Sequence, residues 1–202
     1  MKISTQLVKE LRERTAVGIM DCKNAIQEAD GDINKAVEIL RKKGVAKAQK
    51  REGRAASEGQ IQSYVHMGGK IGVLVEVNCE TDFSAKTDDF TSFTKNLAMH
   101  IAATNPVALS PEDLPPEIVE REKEIYRAQA IDSGKEEKVV ERIVEGRVNR
   151  FFSEVCLLNQ SYVRDPNITV QDLLNELKAK TGENIIIKRF VRYQLGGTDD
   201  NP

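Results

Sequence analysis

Apolar positions recur at helical spacing three times within the first 45 residues. Leu7, Val8 and Leu11 mark one helix, Ile19, Cys22 and Ile26 a second, and Ile33, Ala36, Val37 and Leu40 a third. Gly18, Gly31 and Gly44 stand at helix ends, where a left-handed residue is wanted, and Asp32 is placed to cap the third helix. The period then changes to two. Ile61, Ser63 and Val65 alternate with polar or amphipathic neighbours, Met67-Gly68-Gly69-Lys70 supplies a hairpin turn, and Ile71, Val73, Val75 and Val77 predict the buried face of a return strand.

Helical spacing resumes after a short polar segment. Thr87 can cap a helix bearing Phe90, Phe93, Leu97 and Ile101, which stops before Pro106. Beyond Pro111, Pro115 and Pro116, a charged helix over 117–131 has a poor apolar stripe, so it is either partly exposed or packed on a second subunit. Residues 136–155 form a strong helix with Val140, Ile143, Val144, Val148, Phe151 and Val155 on one side. Residues 157–163 are ambiguous between helix end and strand. Thr169 and Asp172 form an approximate capping box for a helix ending at Gly182, and 184–195 reads as a last strand.

The expected architecture is α+β: an N-terminal three-helix, UBA-like bundle plus a small antiparallel sheet with helices packed on one side. The expected domains are a docking module over 1–45, a basic linker over 46–58, a core over 59–196 and a flexible tail over 197–202.

Composition narrows the class. The chain has 202 residues, 40% apolar and 31% charged, with no tryptophan. No apolar run approaches the roughly 20 residues that span a bilayer, and the N-terminus lacks the apolar stretch of a signal peptide. A cytoplasmic protein without membrane contact is expected. Charge is uneven: residues 1–54 carry 13 basic against 8 acidic side chains, and the remainder is net −7. The basic front could touch RNA or an acidic protein, although a solvated helical surface explains it equally. Cys22, Cys79 and Cys156 are too widely spaced for a disulfide framework or a CxxC metal site and read as buried thiols, with a bridge between chains still open.

The most informative stretch is the polar segment Asn78-Cys79-Glu80-Thr81-Asp82-Phe83-Ser84-Ala85-Lys86. A loop held between two regular elements can present its tip to a partner. An aromatic beside a carboxylate can fill an apolar pocket and disturb a cation site together. The competing reading folds Phe83 under the next helix as a hydrophobic staple, with Asp82 satisfying backbone N–H groups. Pattern alone favours that second reading, although Phe90 and Phe93 already anchor the helix.

Nothing else suggests catalysis. His66 ends a strand and reads as exposed, whereas His100 flanks a buried stripe and reads as structural; neither has triad spacing. Cys79, Glu80 and Asp82 match no metal-ligand pattern, and Gly68-Gly69 belongs to a hairpin rather than a phosphate loop. Lys47, Lys50, Arg51 and Arg54 could contact RNA but lack interleaved aromatics. No enzyme activity, no cofactor, no metal and no direct nucleic-acid contact are expected.

Several motifs carry a resemblance. Leu11-Arg12, Thr15, Gly18-Ile19-Met20-Asp21-Cys22-Lys23, Gly31-Asp32, Leu40-Arg41-Lys42-Lys43-Gly44 and Arg54-Ala55-Ala56-Ser57-Glu58-Gly59 resemble the N-terminal signature of translation elongation factor Ts. Val75-Glu76-Val77-Asn78-Cys79-Glu80-Thr81-Asp82-Phe83 is similar to that family's second signature, and Phe151-Phe152, Glu154, Leu157-Leu158, Gln160, Val170 and Arg189-Phe190-Val191-Arg192 to its C-terminal part. Ser84 stands where the family usually has Val, Lys86-Thr87 where it has Arg-Asn, and Ala16 where it has Gly.

The resemblance implies a guanine-nucleotide exchange factor for elongation factor Tu, meeting it in GDP-bound and nucleotide-free forms. It implies that Thr81, Asp82, Phe83 and Ser84 enter the partner and dislocate Mg²⁺, and that Gly18, Ile19, Met20 and Asp21 dock on it. The length suits the short, single-core type, whose chains pair as homodimers. The competing classes are a peptide- or ubiquitin-like binding module and a ribosome-associated RNA-binding protein.

Overall fold

The computed structural model describes residues 4–15, 17–49, 53–134 and 136–197. Ala16, Lys50, Arg51, the side chain of Lys47 and tail residues 198–202 lie outside the described residues. The chain forms two compact units, each assembled from pieces that are not contiguous. One comprises Met1–Gln60, Val77–Phe93 and Leu173–Ile186; the other comprises Ile61–Glu76, Thr94–Asp172 and Ile187–Pro202.

The first unit begins with helices α1 (Thr5–Thr15), α2 (Ile19–Glu28) and α3 (Ile33–Gln49). Leu11, Cys22, Ala25, Ile26, Ala29, Ala36 and Leu40 are its buried core. The α2–α3 turn is a Schellman motif: Gly31 N–H donates to Ile26 O (2.9 Å) and Asp30 N–H to Gln27 O (3.3 Å). Asp30 (φ 51°) occupies the left-handed position expected of Gly31, which follows it at φ 90°. Asp32 Oδ1 then accepts from Asn34 N and Lys35 N, capping α3 as its sequence position suggests.

Two expectations about glycine fail here. Gly18 has an extended backbone (φ −57°, ψ 145°) and precedes α2 as its N-cap. Gly44 does not end α3, which continues to Gln49. A Cβ at Gly44 would lie 3.4 Å from the Ala179 Cβ, at van der Waals contact.

Strands β1 (Glu58–Val65), β2 (Ile71–Cys79) and β5 (Ile186–Gln194) form a sheet in the order β1-β2-β5. Gly68 and Gly69 both take positive φ in the hairpin turn, which Leu195 N–H also brackets by donating to Lys70 O. Along β2, Val73, Val75, Val77 and Cys79 are buried whereas Leu74 is exposed, so one face is covered and the other open. On the edge strand β1 the expected apolar face is the uncovered one: Ile61, Ser63 and Val65 are exposed, and Gln60, Gln62 and Tyr64 are half-buried. Alternation identifies two faces, but only packing chooses between them. Gly59 (φ 143°) has no room for a side chain, since a Cβ would fall on the Val77 carbonyl.

A one-turn helix, α4 (Asp82–Ala85), follows β2, and then α5 (Asp88–Thr104) buries Phe90, Phe93, Leu97 and Ile101. Asn105, left-handed at φ 49°, ends it ahead of Pro106. In the second unit α6 (Pro116–Asp132) pairs with α7 (Glu137–Val155) around Ala130, Val140, Val144 and Val148. The poor stripe of α6 is explained in part: it covers α7 on one side while Ile118, Ile125 and Ile131 remain exposed. The ambiguous segment becomes a 3-10 turn, Leu157–Asn159, and a short strand, β3 (Ser161–Tyr162), antiparallel to β4 (Asp165–Thr169). Thr169 and Asp172 form the expected capping box of α8 (Val170–Thr181). The fold is α+β.

Candidate partner-binding site

The site is built at the exit of β2. Three buried valines and Cys79 anchor the strand, and the chain turns at Glu80. Thr81 is extended (φ −129°, ψ 150°) and its Oγ1 accepts from Ser84 N at 3.2 Å, the geometry of a helix N-cap. The segment read as a loop is therefore helical. Its far end is closed by Gln60 Nε2, which donates to Ala85 O (2.6 Å), and by the Thr87 hydroxyl, which donates to Ser84 O (2.8 Å). Thr87 Oγ1 also accepts from Phe90 N, so one residue closes α4 and caps α5.

A single helical turn sends alternate pairs to opposite sides. Ser84 and Ala85 are buried. Asp82, Phe83 and Lys86 project outward, with Phe83 79% exposed. The staple that pattern favoured is thus not formed. Ser84, expected at a partner surface, is 4% exposed, and its Oγ has no hydrogen-bond partner among the described residues. Its hydroxyl occupies an interior position, where an apolar side chain would leave no orphaned polar atom.

Asp82 Oδ2 accepts from Lys86 Nζ at 2.7 Å. That hydrogen bond, and then the lysine's charge, hold the Asp82 carboxyl below its usual range, while Asp82 raises Lys86 in return. The outward surface of α4 therefore presents an ionised carboxylate beside a bare phenyl ring.

The base of the turn is tied to the α8–β5 junction, which sequence reasoning did not single out. Glu183 Oε2 accepts from Glu80 N and Thr81 N, both at 3.1 Å, and Oε1 from the Thr81 hydroxyl at 2.6 Å. Glu80 Oε1 accepts from Asn184 N at 2.7 Å in exchange. Asn184 Nδ2 donates to Arg54 O, and the Arg54 guanidinium lies 3.5 Å from Glu80 Oε2. Arg54 is thereby engaged within the protein. No local pattern marks these partners; the one signal was Gly182 as a stop, which places Glu183 just after α8.

The second group of expected residues lies at the start of α2 in the same unit. Gly18, Ile19 (54%) and Met20 (64%) are exposed and Asp21 is half-buried. Ile19, expected on one stripe with Cys22 and Ile26, faces outward, and Cys22, Ala25 and Ile26 supply the buried side of α2.

All three cysteines are buried free thiols. Burial pushes Cys156 up to about 11, and burial followed by the Glu183 charge raises Cys79. Such thiols are poor nucleophiles and inaccessible to a second chain. His66 is exposed beside the Tyr64 hydroxyl (3.0 Å). His100 is fully buried; its Nδ1 accepts from Val163 N, so Nε2 carries the proton shared with Gln160 Oε1 at 2.9 Å. Among the described residues no cluster of His, Cys, Asp and Glu could hold a metal ion, and no helix is long and apolar enough to cross a membrane.

Comparison with known proteins agrees with the motifs. The family model described as Elongation factor TS matches residues 3–197. Elongation factor Ts of Desulfosudis oleivorans is 60% identical over 194 residues, covering 96% of this chain and 98% of the relative. That of Syntrophobacter fumaroxidans is 58% identical over 196 residues (97% and 98%), and that of Caldanaerobacter subterraneus subsp. tengcongensis 60% over 194 residues (96% and 97%).

Proposed function

This chain belongs to the elongation factor Ts family, and on that premise we propose that it is a guanine-nucleotide exchange factor for elongation factor Tu, acting without covalent chemistry in the cytoplasm. The observation that carries the mechanism is the bare Phe83 ring beside ionised Asp82 on a turn braced at both ends. An exposed phenyl gains nothing in the free chain, and burying one is worth about 1.5–3 kcal/mol. A braced turn also forfeits little conformational entropy on docking.

In this reading Phe83 wedges into the nucleotide domain and Asp82 exchanges its Lys86 partner for groups that hold Mg²⁺. Loss of the cation leaves the diphosphate charge uncompensated, so GDP dissociates. Thr81 acts as the cap that starts the turn, and Ser84 acts from inside as its buried face. Gly18, Ile19, Met20 and Asp21 dock as a second contact, the exposed Ile19 and Met20 supplying its apolar area. The exchange factor and nucleotide weaken each other reciprocally. A coupling of about 4 kcal/mol corresponds to roughly a thousandfold in either affinity.

Residues 1–45 serve as the docking module, 59–196 as the exchange and dimerisation core and 197–202 as a tail; the connection over 46–58 begins in the last turn of α3 and ends in β1 at Glu58. The uncovered Ile61, Val65 and Leu74 support pairing of two chains. Sedimentation equilibrium at micromolar concentration checks this; a monomer mass overturns it. The function itself is tested by release of labelled GDP from purified elongation factor Tu. Sub-stoichiometric protein accelerates release, and an unchanged rate sinks the proposal.

A further inference from the structure

We propose that Glu183 is a positioning residue for exchange, holding the Thr81-Asp82-Phe83 turn in its outward geometry; this rests on Phe83 being the inserted group. Glu183 follows α8 directly, where Gly182 (φ 75°) reverses the chain and Thr181 Oγ1 accepts from Glu183 N at 3.3 Å. Its carboxylate is thus delivered from a rigid corner.

All three bonds it accepts end on Glu80 and Thr81, the two residues immediately before α4. None ends on the helix core. The hydroxyl bond is the informative one. Because Thr81 spends its only hydroxyl proton on Glu183 Oε1 (2.6 Å), a lone pair remains aimed at Ser84 N (3.2 Å). The same carboxylate therefore sets the rotor of the N-cap, and the N-cap starts the single turn that sends Phe83 out and Ser84 in. A four-residue helix has too few internal bonds to choose its own orientation. Bonds to an ionised acceptor are about twice as strong as neutral ones, which suits a brace made at a partly exposed position.

Glu80 returns the constraint by accepting from Asn184 N at 2.7 Å, so the two junctions grip each other. Displacing Glu183 frees the turn to rotate, leaving the ring present and chemically intact but aimed wrongly. That distinguishes positioning from contact: maximal exchange falls while encounter with the partner, made also by the N-terminal helices, persists.

The test is a double-mutant cycle on the full chain, read by labelled-GDP release from elongation factor Tu over a range of factor concentrations. Glu183→Ala lowers the maximal acceleration about tenfold, as when the competent orientation drops to a tenth of the population. The half-saturating concentration changes by less than about threefold. Glu183→Gln keeps one oxygen for the two backbone N–H groups but puts an amide donor where the hydroxyl needs an acceptor, so it recovers only part of the loss and falls between wild type and Glu183→Ala. Thr81→Val, lacking only the hydroxyl, reproduces it and serves if Glu183→Ala does not fold. In a Phe83→Ala background Glu183→Ala adds nothing further. Wild-type behaviour of folded Glu183→Ala alongside an impaired Phe83→Ala, or additive losses in the double variant, overturns the positioning role alone. Failure of the wild-type chain to accelerate release overturns this role and the exchange function together.

Discussion

Phe83→Ala separates the proposed wedge from any structural duty of the ring. At 79% exposure, roughly a fifth of the residue's surface is covered in the free chain, so almost the whole transfer free energy remains to be gained on docking. Removing the ring should leave thermal and urea unfolding within about 0.5 kcal/mol of wild type, as for surface substitutions generally. The same change forfeits about 1.5–3 kcal/mol of partner interaction, or about tenfold to a hundredfold in the efficiency of catalysed GDP release. Stopped-flow displacement of a fluorescent GDP analogue measures this directly. Phe83→Leu should fall between the two, since it keeps apolar bulk without the ring. Two results refute the reasoning: full exchange activity in folded Phe83→Ala, or a stability loss above about 1 kcal/mol, which would mean that the ring works inside its own chain.

Three further outcomes follow from particular environments. Ser84→Ala removes a buried hydroxyl with no partner among the described residues, so stability should be unchanged or rise by up to about 2 kcal/mol; a loss above 1 kcal/mol by urea titration contradicts the burial assigned to it. Gly59→Ala drives a methyl into the Val77 carbonyl at φ 143° and should cost at least about 1–3 kcal/mol by the same titration. His100 is pushed below its ordinary pKa by burial, against the smaller opposing effect of its bond to Gln160. Its contribution to stability is complete above the unfolded value of about 6.5 and is lost as pH falls toward the folded value, with a limiting slope of about 1.4 kcal/mol per pH unit. Urea midpoints measured from pH 7 to 5 should show a slope that His100→Asn lacks.

Much of the architecture was legible from spacing. Helices α1 to α3 follow from apolar residues three and four apart, β2 from Val73, Val75 and Val77, and the starts of α3 and α8 from Asp32 and the Thr169–Asp172 box. These rest on local chemistry, in which a side chain's effect is exerted within a turn or along one strand. Even locally the reading slipped at one glycine. Gly44 reads as a stop, yet α3 runs on to Gln49, since a glycine inside a helix costs only about 1 kcal/mol.

The orientation of α4 is not local in this sense. Over Thr81-Asp82-Phe83-Ser84, a ring tucked inward and a ring turned outward satisfy the same four letters. The choice is made by Glu183, 102 residues beyond Thr81, and by Gln60, which closes the carbonyl end. Composition and motifs determine which family the chain joins and that Asp82 and Phe83 are adjacent. Only the meeting of β2 with the α8–β5 corner determines that Phe83 faces solvent while Ser84 is shut in, because one helical turn has too little internal cohesion to settle its own direction.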